Sequence, residues 1–214
     1  MNNVQVPGLV CEELMAVSAD GKRRLVSGYM ADSQIYQPDG EDRVPVYAVK
    51  RGWNFIDLET NWGYADVSPS ELKYAYNVLG PDALKRWARI FYGASVEVYE
   101  YSGGSYGSSA DLIMWASVDW QKAMGLKDYA PGYDDVSELV AWLEGDVVQV
   151  VEQERGCPDM DCPCDYWKIV ECSYPVYGYG AEAEVLAALY CLNTDGMVWT
   201  KQFKGYVPAE RLTA

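Results

Sequence analysis

Apolar and polar positions along this chain change period often, and turn residues punctuate the changes. Leu14–Val17 and Arg24–Tyr29 lie on either side of Ala19-Asp20-Gly21, and Asp-Gly between two such runs predicts a hairpin. Val44–Lys50 and Trp53–Glu59 flank Arg51-Gly52 and predict a second, after a polar, turn-rich loop from Ile35 to Asp42. Ser68-Pro69-Ser70-Glu71 marks a helix start. Ser68 can accept from the first-turn amides, Pro69 suits the first helical position, and Glu71 completes the capping box. That helix should stop at Gly80. Pro81 then opens another through Tyr92, with Leu84, Trp87 and Phe91 on one stripe and Gly93 past its end.

Further along, Ser95–Tyr101 reads as a strand, Ala110–Met124 as a helix closed by Gly125, and Asp135-Val136-Ser137-Glu138 as a second capping box opening a helix to Gly145. Val147–Glu152 and Tyr166–Cys172 read as strands joined by a loop rich in Cys and Asp. Ala181–Leu192 reads as a helix and Met197–Phe203 as a last strand, with one helical turn at Pro208–Leu212. This order predicts an α+β fold of mixed or antiparallel hairpins with about five helices, rather than a βαβ alternation. It allows a single compact unit or two small subdomains, 1–104 and an acidic 105–214, with the boundary in the Gly/Ser-rich stretch 102–109. Gly63-Tyr64-Ala65-Asp66-Val67-Ser68 with Glu71-Leu72 is echoed by Gly132-Tyr133-Asp134-Asp135-Val136-Ser137-Glu138-Leu139. Shared capping chemistry explains the echo more economically than duplication.

Charge changes the picture most. The net charge is −15, and −10 of it falls between Asp128 and Glu171, where twelve carboxylates face only Arg155 and Lys168. Concentrated charge projects a field that selects partners. Acidity argues against direct contact with phosphate backbones or anionic membranes. The basic clusters Lys22-Arg23-Arg24 and Lys85-Arg86 with Arg89 are short enough to be solvated turn and helix faces. The first residues carry no basic start and no apolar core of a signal peptide, and no run is long enough to span a bilayer. With half the chain hydrophobic, the sequence predicts a folded cytoplasmic protein whose six cysteines are reduced.

There is no histidine. A Ser-His-Asp or Cys-His nucleophile pair is excluded, as are imidazole metal sites. Carboxylate pairs such as Asp57/Glu59 and Glu97/Asp111 read as surface charge rather than an acid/base pair. The 102–109 stretch lacks the Lys of a phosphate-binding loop. Cys157, Cys162, Cys164 and Cys172 supply four thiols, but their spacing departs from paired zinc knuckles. A local disulfide or reduced loop thiols fit better than structural zinc, and no cofactor is expected. The surrounding carboxylates oppose the lowered pKa that a catalytic thiolate needs.

These features predict a binding protein rather than an enzyme. Its expected partner is a protein with a basic surface, of the kind that binds nucleic acid. The expected contact residues are Asp128, Asp134, Asp135, Glu138, Glu144, Asp146, Glu152 and Glu154, with Tyr174, Tyr177 and Tyr179 as aromatic contacts. In composition alone the chain resembles acidic DNA mimics, among them phage anti-restriction and anti-CRISPR proteins. That resemblance implies an inhibitor and carries no residue roles. The rival readings are a carboxylate- or metal-dependent enzyme and a structural or accessory interaction protein.

Overall fold

The computed structural model describes residues 9–30, 38, 43–50, 59–60, 64–102, 109–157, 166–178, 180–209 and 212. They form an α+β protein of two compact units. One comprises residues 1–37 and 141–214; the other is residues 38–140.

The 38–140 unit is built on a four-stranded antiparallel sheet, ordered β4-β3-β6-β5, from β3 (Val46–Lys50), β4 (Glu59–Thr60), β5 (Ser95–Ser102) and β6 (Ser109–Ala116). Helix α1 (Pro69–Phe91) packs on one face of this sheet. Leu72, Tyr76, Leu84 and Ala88 from the helix meet Tyr47, Val96, Ile113 and Trp115 from the strands. Each fully buried Leu there contributes about 1.5–3 kcal/mol. The start of α1 follows from local chemistry, since the Ser68 hydroxyl accepts from the Glu71 amide at 3.2 Å. So does its break. Gly80 has φ +73 and ψ 173, so two helical segments meet at an angle where the sequence places a stop and a restart. Helix α2 (Val118–Ala123) and α3 (Ser137–Glu144) follow, the second ending at Gly145 with φ +81.

Residues 110–124 are not the single helix that their apolar content predicts. Ala110 to Ala116 belong to β6, the central strand paired on both sides, and only Val118–Ala123 is helical. Leu112, Ile113, Met114 and Trp115 are all buried. A strand buried on both faces is a continuous apolar run, which periodicity cannot separate from a buried helix. Because the helices predicted before and after Gly80 are one broken helix, α1, the described residues hold four α-helices rather than about five.

The other unit has a sheet ordered β10-β1-β2-β7-β8, with β9 also on β7. Its strands are β1 (Leu9–Ser18), β2 (Arg23–Met30), β7 (Val147–Arg155), β8 (Trp167–Cys172), β9 (Val176–Tyr177) and β10 (Met197–Trp199). The β1–β2 hairpin turns where Asp-Gly predicts it. The Gly21 amide donates to the Ser18 carbonyl and the Ser18 hydroxyl to Asp20 at 2.6 Å. Helix α4 (Ala181–Cys191) covers one sheet face, burying Val185 and Ala188 against Met15, Leu25 and Val150. The last predicted strand stops at Trp199. The chain turns there to place Phe203 in this core.

The packing divides the chain elsewhere than at 102–109. That stretch joins β5 to β6, which pair from Ser95↔Ala116 to Ser102↔Ser109 within one sheet. The two echoed segments do the same job. Val67 and Val136 are buried, as are Leu72 and Leu139, and the aspartate before each valine accepts from an aromatic donor. Asp66 takes the Trp115 indole N–H at 2.7 Å and Asp135 the Tyr129 hydroxyl.

Candidate functional site

Strands β7 and β8 form the edge of the larger sheet, and their register sorts the charges. Glu152 pairs with Glu171 and Glu154 with Lys168. On the other side Arg23 of β2 faces Glu154. Directly paired residues share a sheet face with Cβ atoms about 5 Å apart. Glu152, Glu154, Glu171, Arg23 and Lys168 thus line the α4 face, three carboxylates against two cations. Arg23 resolves the clash between Glu152 and Glu171 by placing its Nε 2.6 Å from Glu152 Oε1. The opposite face is held by Arg24, whose Nε donates to Gln153 at 2.6 Å and whose guanidinium lies 4.1 Å from the centre of the Trp167 ring.

Beyond this ladder the edge is open to solvent. Lys168, Ile169, Val170, Glu171 and Cys172 are all exposed. The register steps from Glu152↔Glu171 to Gln153↔Ile169, leaving Val170 as the extra residue of a β-bulge. Bulges and charges on an edge discourage pairing with another strand. What this edge offers is therefore its side chains. Tyr166 is 61% exposed yet held in place, because its ring lies over Gly156. A Cβ at position 156 would sit 2.2 Å from that ring, and the Gly156 amide donates to the Tyr166 carbonyl. Tyr174, just past β8, is 80% exposed. The edge presents two aromatic side chains, Ile169, Val170, Glu154 and Glu171 on one ribbon.

The residues that the sequence nominates for binding do not lie on one element. Asp128, Asp134, Asp135 and Glu138 belong to the 38–140 unit; Glu144, Asp146, Glu152, Glu154, Tyr174 and Tyr177 belong to the other. The 38–140 unit carries sixteen acidic and nine basic residues, and the other sixteen and eight. Over the whole chain the acidic excess is shared almost equally between the units. Several of the nominated groups are committed to the fold. Glu138 is ion-paired with Arg43, and Asp135 accepts from Tyr129 and from the Gly132 amide, so the expected Asp135/Glu138 capping box does not close. Tyr177 packs against the cluster of Leu9, Met30, Val147 and Val151. Asp128, Asp134, Glu144, Glu154 and Tyr174 are exposed, and Asp146 is half-buried. Tyr179 lies outside the described residues. Tyr166 and the bulged Val170 are what sequence reasoning missed. The only signal for Tyr166 is the glycine that its ring covers.

The four candidate thiols do not converge. Cys172 pairs with Val151, and Cys157 follows Arg155↔Trp167 at the other end of the ribbon. Six residues of strand separate them by roughly 20 Å, so one tetrahedral ion cannot hold both. Cys162 and Cys164 lie outside the described residues. Burial and the neighbouring Glu171 push the Cys172 thiol pKa up, away from thiolate chemistry. Glu97 and Asp111 sit on opposite sheet faces. Glu97 pairs with Met114, three residues from Asp111, and is salt-bridged to Lys85, while Asp111 is buried and accepts from the Tyr76 hydroxyl. Asp57 lies outside the described residues. Among the described residues, no group of three or more Cys, Asp or Glu is placed to hold a metal. No helix there is long and apolar enough to cross a membrane. Compared with protein-family models, curated proteins and solved structures, the chain matches none.

Proposed function

We propose that this is a non-enzymatic binding protein that occupies a basic surface on another protein, and that the surface it blocks is one that otherwise holds nucleic acid. The observation that carries this reading is the β7–β8 edge, where Glu154 and Glu171 lie beside the anchored Tyr166 and the exposed Tyr174. Tyrosines supply rigid contact area at low entropic cost, and carboxylates beside them steer a cationic partner. The net charge of −15 adds long-range attraction for basic proteins and repels phosphate backbones. The setting we propose is the cytoplasm, which suits the free thiols of Cys11, Cys172 and Cys191.

The test is direct. A partner recovered on the immobilised protein should lose affinity as salt rises above about 0.15 M, where screening acts over about 8 Å. It should lose at least about tenfold with Glu154→Lys/Glu171→Lys, and similarly with Tyr166→Ala or Tyr174→Ala. Nucleic acid should compete for it. A partner indifferent to salt and to these substitutions, or one that binds nucleic acid and this protein together, would sink the proposal.

A further inference from the structure

The 38–140 unit holds a cleft of about 430 Å³ between the second segment of α1, the start of β5 and the Gln121–Tyr129 stretch. Small-molecule sites span about 300–1,000 Å³. One wall carries Lys85, Arg86 and Arg89. Lys85 is engaged by Glu97. Arg86 and Arg89 are exposed, sit three residues apart on one helix face, and have no ion-pair partner among the described residues. Two uncommitted guanidinium groups over a concavity are unexpected in a unit whose acidic residues outnumber its basic ones by sixteen to nine.

The opposite wall is rigid. The Tyr129 ring meets Trp120 edge-on at 5.3 Å between centroids, and its hydroxyl is bonded to Asp135. Gln121 is fixed at both ends, donating to the Ala116 carbonyl and accepting from the Tyr129 amide. Burial and Asp135 push the Tyr129 phenol up to about 12, so the phenol itself adds no negative charge near neutral pH. Asp128 stands at the rim.

We propose that the cleft binds a small phosphate monoester with an organic body of mononucleotide size, its phosphate on Arg86 and Arg89 and its body against Tyr129. Planar guanidinium groups match phosphate oxygens in pairs, and a phosphate monoester carries about −1.5 to −2 charges at neutral pH. A bare phosphate would leave most of the cleft unfilled, which calls for the organic body. Asp128 disfavours further negative charge, so a monophosphate should be preferred to a polyphosphate. This site is independent of the proposed partner surface, which lies on the other unit.

Adenosine 5′-monophosphate is the probe, titrated into the full chain at low salt and followed by calorimetry and tryptophan fluorescence, with adenosine, inorganic phosphate and adenosine 5′-triphosphate alongside. The monophosphate should bind at least about tenfold more tightly than adenosine, as expected for charge-assisted hydrogen bonds. It should also bind more tightly than inorganic phosphate. Arg86→Ala/Arg89→Ala should lose that advantage while melting as the parent does, since both side chains are exposed. Asp128→Asn should raise affinity for the triphosphate. No binding at millimolar monophosphate, adenosine or inorganic phosphate binding as tightly as the monophosphate, or an unaffected double variant would overturn the proposal.

Discussion

Arg23 holds Glu152 at 2.6 Å and also donates to the Asn193 carbonyl at 2.8 Å, so one guanidinium ties β2 to the edge ribbon and to the turn after α4. The Glu152 side chain is only 8% exposed. Removing its partner would leave a buried carboxylate facing Glu171. We expect Arg23→Ala to cost about 2–4 kcal/mol, below the range for a fully buried pair because Arg23 is partly exposed. Arg23→Ala/Glu152→Ala should cost less than the sum of the single changes. Urea denaturation of the four proteins measures the coupling, and strict additivity would show the pair to be inert.

Glu184 gives the fold a pH dependence of known sign. Burial raises its carboxyl pKa against the opposing hydrogen bond from Ser27, with Glu13 adding repulsion. A carboxyl raised in the folded state binds more protons there. Its contribution is full below the unfolded pKa and is lost as pH rises through the folded value. Glu184→Gln should therefore melt higher than the parent at pH 7 and lose that margin near about pH 4. Ser27→Ala should steepen the fall in stability with rising pH, because the bond it removes favours the carboxylate.

Tyr92 and Tyr129 should titrate late. Hydrogen bonding to Glu71 and burial push Tyr92 up to about 12, and burial with the Asp135 bond does the same for Tyr129. The folded-state advantage of these phenols is complete below about pH 10 and disappears as pH rises toward 12. In ultraviolet titration Glu71→Gln should restore one late phenol toward the ordinary range and Asp135→Asn another. If neither variant moves a late phenol, these hydrogen bonds are not formed in solution.

Gly80 isolates a backbone term. Its φ is +73, and a Cβ added there would meet nothing within 4 Å. Gly80→Ala should cost about 1–3 kcal/mol through backbone conformation alone, because positive φ with ψ 173 is a region that essentially only glycine adopts. Gly80→Asn should gain nothing over Ala, because the tolerance of Asn for positive φ holds at ψ of about +45° and not at 173°. Equal stability of all three proteins in chemical denaturation would mean that α1 straightens across the break.

Turns and helix ends were legible from local chemistry. Ser68 and Pro69 start a helix, Gly80 breaks it, Asp20-Gly21 turns a hairpin and Gly145 ends α3. Each follows from a hydrogen bond or a φ value available within a few residues of chain. The remaining features depend on contacts between distant segments. The 110–116 segment became a strand because β3 and β5 pair with it on either side, and no local pattern encodes two neighbours. Strand alternation sent Arg23 and Arg24, adjacent in sequence, to opposite sheet faces, where one answers Glu152 and the other Gln153 and Trp167. The crowded carboxylates of 128–171 were divided between two units because a compact unit is closed by contacts between distant segments. Charge along a chain is a one-dimensional quantity. The field it makes depends on which partners the fold brings within a few ångströms of each group, and only pairing register and packing set that.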